Sequence, residues 1–393
     1  MGTLRRPTAG GRAAALVAGA LGAVLALTRA AAALTAPERP ERRERDRMAW
    51  AREAAAELAE LGLWRDPQVP LAALATRRDL ARLLSGLADL AGREDPSAGL
   101  RGPSDMRQND PDAAAAVRAV AEGWVAAPAG GPFRPDALVR SGEANRAFVR
   151  FLGLDDAHRA LATLASEDGV RLRLPAGFAD EVLAREAGLR HNYPHPHDDL
   201  ELARTAPIRL ADLAGMGAEA MRLVERPEKV ERLDQDFAQI VLPAMTATER
   251  TVVERALSQV GQPYVWGGEW PSRDSPVGSQ EHAGHDCSGL VWWAWRGSGG
   301  YRFGRPAVDR STADGQARFG RGRPVPKAAL RPGDLVFYGD DGKRTRRGGI
   351  SHVVLALGNG YAVHSAGSRA GTSVSRLDRF WVDGFVLARR PLA

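Results

Sequence analysis

The chain has 393 residues, 44% of them hydrophobic and 26% charged, a balance that excludes wholesale disorder and a polytopic membrane protein and fits two or three domains. The net charge is +6, but only Lys229, Lys327 and Lys343 are lysines, so the positive balance is an arginine bias and does not by itself argue for nucleic acid. The single cysteine, Cys287, excludes an intrachain disulfide and a four-cysteine zinc site, and is either an inert core residue or a free reactive thiol.

Arg5, Arg6 and Arg12 precede an apolar run from Ala13 to Leu27, and Ala31-Ala32-Ala33 follows. A basic head, a short apolar core and small residues predict a secretory signal or N-terminal anchor over 1–36. Charge divides the remainder. Residues 250–393 carry a net +9 and residues 37–249 a net −7, as expected of two modules with different jobs. Outside the membrane, a basic C-terminal module suits an anionic partner such as wall polymer.

Residues 37–245 read as helix-loop-helix repeats, an all-α region. Trp50, Ala54, Leu58 and Leu61 recur at helical spacing, with Gly62 as a stop. Thr76 then fits the N-cap of a helix carrying Leu80, Leu83 and Leu84. The pattern returns at 111–154, where Gly123-Trp124 closes the first helix and Glu143 to Leu152 form the second. A third copy runs from Phe178 to Met221. Such repeats stack because one alone cannot bury its apolar face. Thr76-Arg77, Phe133-Arg134-Pro135-Asp136 and the helix-ending glycines resemble the S-layer homology module. That resemblance implies binding to cell-wall polysaccharide, with a purely structural spacer as the alternative.

Residues 246–393 carry the chemistry. Thr246 and Glu249 fit a capping box. After a loop with Tyr264 and Trp266 comes Asp286-Cys287-Ser288-Gly289, which reads as a helix start with the thiol in its first turn. Unpaired N–H groups and the helix dipole there favour thiolate. Strands are expected at 334–338, 352–357, 361–365 and 384–388. A thiolate nucleophile needs a base, and His352 and His364 lie on two strands joined through Gly358-Asn359-Gly360. A plain two-residue turn at Asn359-Gly360 would pair Leu355 with His364 and send the two histidines to opposite faces. A three-residue loop, or an equivalent bulge, would place them on one face as diagonal neighbours. Catalysis requires the second register. His191, His195 and His197, and His282 with His285, lack an evident metal-ligand pattern, so neither a metal nor another cofactor is expected.

Five blocks in order resemble the NlpC-type cell-wall peptidases, a papain-like group of cysteine hydrolases. They are Pro263-Tyr264-Val265-Trp266-Gly267-Gly268, Asp286-Cys287-Ser288-Gly289, Arg331-Pro332-Gly333-Asp334-Leu335-Val336-Phe337, Ser351-His352-Val353, and Gly358-Asn359-Gly360 through His364. The resemblance implies an α+β fold, with the nucleophile's helix packed on an antiparallel sheet. It implies Cys287 as nucleophile, His352 as base and His364 as its orienting partner. Tyr264, Trp266, Asp286 and Ser288 are the expected substrate contacts. The implied substrate is a peptidoglycan stem peptide, cut at a γ-D-glutamyl-diamino acid bond by a secreted or wall-associated enzyme. A second reading stays open at this point: a non-catalytic wall-binding or structural protein that keeps the peptidase fold.

Overall fold

In the first half of the chain the apolar positions sit at helical spacing, and the structure answers with helices. The computed structural model describes residues 48–391 apart from 65–69, 108, 192, 194–201, 298–300, 303–304, 320–321, 347, 368–370 and 381–382. The expected signal or anchor over 1–36, His195 and His197 therefore lie outside the described residues. No described helix is long and apolar enough to cross a membrane.

Helices α1 (Ala51–Glu60) and α2 (Arg77–Leu90) are followed by α3 (Ala113–Ala121), α4 (Ser141–Phe151) and α5 (Asp155–Ala162). Then come α6 (Phe178–Glu186), α7 (Leu210–Val224) and α8 (Pro227–Ala238). Helix α2 runs six residues past the expected Leu84, because Leu87 and Ala88 continue its buried stripe. Helices α5 and α8, which pack on each other, had no counterpart in the sequence reading. Pro227 at the first turn of α8 suits a helix start, where its missing N–H costs nothing.

Three helix starts share one arrangement. The backbone N–H groups of Thr76, Arg140 and Arg209 donate to Asp79, Glu143 and Asp212, three residues ahead, at 2.9, 3.0 and 2.9 Å. The residues just before these caps close a ring of backbone hydrogen bonds. Ala75 donates to Ile208, Ile208 to Val139, and Val139 to Ala75, at 3.0, 2.9 and 3.0 Å. The ring satisfies backbone groups that would otherwise be buried without partners, and it fixes α2, α4 and α7 around one point.

In the second half α9 (Ala247–Leu257) carries the expected capping box, with Thr246 Oγ1 and the Glu249 carboxylate exchanging bonds with the opposite backbone. Helix α10 (Cys287–Arg296) and α11 (Ala313–Phe319) follow. One antiparallel sheet contains β1 (Arg323–Val325), β2 (Leu335–Gly339), β3 (Ile350–Gly358), β4 (Tyr361–Ala366), β5 (Gly371–Arg376) and β6 (Phe385–Arg390), in the order β5-β4-β3-β2-β6-β1. β2, β3, β4 and β6 lie within two residues of their expected ranges. Short β1 and small-residue β5 were not foreseen.

The halves share a core. Leu58, Phe148, Val182 and Leu242 belong to the same apolar cluster as Val253, Leu290, Leu355 and Val374. Residues 50–393 accordingly pack as one compact unit. Helix α10 is centred on this core, with Leu290, Val291 and Ala294 fully buried and Trp292, Trp293 and Trp295 nearly so. Arg255 of α9 holds its carboxyl end, donating to the carbonyls of Ala294 and Trp293 at 3.1 and 3.0 Å. Its cation lies 4.1 Å from the Trp293 ring centre, favourable both for the ring and for the negative helix end.

Candidate active site

Asp286 starts α10. Its carboxylate accepts from Gly289 N at 2.7 Å and Ser288 Oγ at 2.9 Å, and its other oxygen accepts from Gly267 N at 3.2 Å. The structure thus places Asp286 and Ser288, both expected at the substrate, in the helix cap and in the tie to the Tyr264–Gly268 loop. Asp286 N donates to Gly268 O at 2.9 Å and closes the same junction. Gly289 makes the close approach feasible. A Cβ there would sit 2.0 Å from Gly268 O and 2.9 Å from Glu269 Cα.

Cys287 is the first residue of the helix and is 8% exposed. Backbone N–H groups of Val353, Ser288 and Cys287 itself face its sulfur and favour the thiolate. They do not win. Burial, with the Asp286 carboxylate adding to it, pushes the thiol up to about 12. The helix start favours the thiolate as expected, but a desolvated anion costs more than these donors return. In this state Cys287 is a neutral thiol whose proton must be removed during attack.

The hairpin settles the register question. Gly358 pairs with Tyr361 across a two-residue turn, and Asn359 is in the left-handed region at φ 49°. The register then shifts, so Ala362 pairs with Ala356 and Val363 with Leu355. Leu357 is the extra residue of a bulge. The turn is the short one, and the bulge restores the alignment that a three-residue loop would give. His352 and His364 fall on one face, with His352 Nε2 3.1 Å from His364 Nδ1 and the rings nearly perpendicular. Burial lowers His352 to about 4, so its imidazole is neutral at ordinary pH. The Val353 N–H at the sulfur belongs to the residue next to His352.

Of the other expected contacts, Trp266 is 70% exposed, an unusual state for so large an apolar side chain. Tyr264 is half-buried and pairs through its backbone with His285, two residues before the thiol. The segment 269–285, between the Tyr264–Gly268 loop and the thiol, folds back on itself. Glu269–Trp270 pairs with Gly284–His285, and Asp274–Ser275 with Gly278–Ser279. Gln280 secures it from inside, accepting from Glu269 N and donating to the Trp270 and Gly284 carbonyls. Among the described residues no group of three or more His, Cys, Asp or Glu is placed to hold a metal ion.

The sequence reading missed several residues. Gln316 of α11 is buried and donates to Ser288 O at 3.0 Å, fixing the first turn of α10. Ser375 lies 2.8 Å from His364 Nε2, and Ser375 Oγ donates to Glu186 at 2.6 Å. The alternation of small and β-branched residues in Thr372-Ser373-Val374-Ser375 was the available signal for β5. Nothing in the sequence ties Glu186 to residues so distant in the chain. The Arg331-to-Phe337 block proves architectural. Asp334 accepts two bonds from Arg390, at 2.8 and 2.7 Å, and one from Arg331 N.

Comparison with known proteins locates the similarity in this half. Residues 261–390 match the NlpC/P60 family. Peptidoglycan endopeptidase RipB of Mycobacterium tuberculosis is 38% identical over 138 residues, 34% of this chain and 50% of RipB. Peptidoglycan endopeptidase RipA of the same species is 37% identical over 114 residues, 28% of this chain and 20% of RipA. The chain thus spans half or less of the length of these relatives. The solved structure of the peptidoglycan hydrolase RipB from that organism is 32% identical, covering 39% of this chain and 75% of that one, with a TM-score of 0.29.

Proposed function

We propose that this chain, whose residues 261–390 are an NlpC/P60-family cysteine peptidase domain, acts as an exported cell-wall hydrolase that cleaves peptidoglycan stem peptides. The observation that carries the reading is the site itself. A lone thiol is the first residue of a helix packed on the strand whose His352 is bonded to His364. The papain-like arrangement of α10 on the sheet accords with this.

In the proposed reaction His352 takes the Cys287 proton as sulfur attacks the amide carbonyl. The neutral state of both groups suits general-base attack rather than a resting ion pair. The N–H groups of Cys287 and Ser288 are the natural donors to the tetrahedral oxyanion. Collapse leaves a thioester and expels an amine, which receives the proton from His352; water then attacks the thioester and frees Cys287. His364 orients His352 and supports its charged form. Tyr264 and the exposed Trp266 flank the α10 start and are the proposed substrate contacts. The bond proposed is γ-D-glutamyl to diamino acid.

The helical region takes a more specific place here than tether or spacer. Asn359, at the tip of the histidine hairpin, donates to Val241 O at 2.9 Å and Glu167 Oε1 at 3.2 Å. Tyr361 Oη donates to Asp236 O at 2.6 Å. The reading is that α8 and its flanks hold the hairpin that carries the base. Arg77, the one arginine of the S-layer-homology resemblance that stands in the expected Thr-Arg pair, donates to the carbonyls of Phe133 and Ala126. That is a structural role, and binding of wall polysaccharide draws no support from it.

The test is digestion of purified muropeptides by the full chain, with products identified by mass. The expected product carries a new amino group on the diamino acid. Muropeptides left intact after exhaustive digestion would overturn the function, and cuts at another amide would overturn the bond assignment.

A further inference from the structure

The hydrogen-bonded chain that begins at His352 does not end at His364. His364 Nε2 lies 2.8 Å from Ser375 Oγ, and Ser375 Oγ donates to Glu186 Oε1 at 2.6 Å. Ser375 is on β5 and 1% exposed. Glu186 is the last residue of α6, in the helical region, 189 positions earlier in the sequence.

Each link fixes the next. A carboxylate only accepts, and a serine hydroxyl has one proton to give. With that proton directed to Glu186, Ser375 Oγ meets His364 Nε2 as an acceptor, so Nε2 carries the His364 proton. A neutral imidazole has one N–H, so His364 Nδ1 is bare and accepts from His352 Nε2. The proton of His352 is then on Nε2, and its Nδ1 keeps the lone pair that a base needs.

We propose that Glu186, acting through Ser375 and His364, holds His352 in the tautomer protonated at Nε2, so that α6 of the helical region is a positioning element of the active site. This rests on His352 being the base. Without the Glu186 acceptor, Ser375 is free to donate to His364 Nε2. The chain then reverses, and His352 acquires its proton on Nδ1.

The packing of α6 suits the role. All its residues from Phe178 to Arg185 are buried. Glu181 and Arg185 form a buried ion pair on the helix, and Arg185 also donates to Gly261 O at 3.3 Å. Gly261 N donates in turn to Thr372 O on β5 at 3.0 Å. A Cβ on Gly261 would meet Glu181 Cγ at 3.1 Å. The carboxyl end of α6 is thus fixed against the strand that carries Ser375.

The experiment uses full-length protein labelled with 15N-histidine. Long-range 1H–15N spectra report which ring nitrogen is protonated, and His352→Gln and His364→Gln variants assign the two signals. Wild type is expected to show both residues as Nε2–H tautomers. Ser375→Ala and Glu186→Leu are expected to convert His352 to a mixture containing Nδ1–H. Their kcat on muropeptides is expected to fall roughly ten- to a hundredfold, the size typical of outer partners that orient a functional histidine, with KM within about twofold. Glu186→Gln keeps an oxygen acceptor and is expected to recover most of both signals. Should Glu186→Leu unfold, Ser375→Ala, which loses one oxygen, carries the test. The proposal is overturned by wild-type His364 protonated at Nδ1, by an unchanged His352 tautomer in folded Glu186→Leu, or, should that variant unfold, by an unchanged one in Ser375→Ala. Because the spectra need no substrate, expected tautomers in a protein that cleaves no muropeptide would overturn the endopeptidase reading alone.

Discussion

At the scale of single residues, position along α10 explains more than residue type. Cys287 gains three N–H neighbours from the helix start and the adjoining strand, yet burial keeps it protonated. Its alkylation by iodoacetamide at pH 8, read by intact mass on the only cysteine, is therefore expected to be on the order of a hundredfold or more slower than a solvent-exposed thiol. A rate above the exposed thiol's would show a preformed thiolate instead. Gly289 has the opposite character, since its importance is the absence of an atom. Gly289→Ala drives a methyl into Gly268 O, a backbone atom that moves only with its loop. The expected cost is about 1–3 kcal/mol in urea unfolding, the usual range for overpacking, together with lost activity as the Trp266 loop shifts. These residues were legible in the sequence because local motifs announce them: a cap residue before a helix, a cysteine after it, a glycine at the third turn position. Ser375 and Glu186 were not, because their meaning comes from a contact across 189 positions.

At the scale of elements, the hairpin of β3 and β4 shows what pattern reading reaches and where it stops. Strand existence followed from the runs Val353 to Leu357 and Tyr361 to His364. Register did not, because the sequence allowed two pairings and only a chemical requirement chose between them. The chain meets that requirement with a bulge at Leu357, a backbone device with no residue signature. Strand β5 was missed for a related reason: Gly371 to Arg376 is small and polar, yet five of its six residues are buried, since tertiary packing overrides weak strand propensity. The turn is clamped from outside by the helical region. Asn359→Ala loses two hydrogen bonds and leaves a Cβ at φ 49° without the local polar compensation of asparagine. About 1–2 kcal/mol of stability is expected to go. Asn359→Gly, relieved of the backbone strain, is expected to lose roughly half as much. Equal losses would assign the whole effect to the side-chain bonds.

At the scale of the whole molecule, opposite charge balance marked two modules, while packing joins them through one core. Helix spacing revealed the all-α half but could not reveal that α6 packs on β5, which bonds His364, or that α8 is bonded to the hairpin of β3 and β4, because buried helix faces do not name their partners. Whole-chain stability is expected to fall in acid for a specific reason. Burial lowers His352 to about 4 and, with the Arg255 cation contributing, His285 to about 3, against 6.5 for a free imidazole. Below about pH 6.5 the unfolded chain binds protons that the folded chain refuses, so stability declines as pH falls from there toward the folded values. Each histidine contributes on the order of a few kcal/mol across that window, and denaturant midpoints between pH 7 and pH 4 measure it. A midpoint constant over that range would show these imidazoles to be ionised in the fold. The central claim, that Cys287 and His352 together cut stem-peptide amides, is tested most directly by the initial rate of muropeptide cleavage for wild type, Cys287→Ala and His352→Ala at equal concentration of folded protein. The expected result is a loss of roughly 10⁴-fold or more in both variants, as for groups that act as one catalytic unit; cleavage by either variant within tenfold of wild type would contradict it.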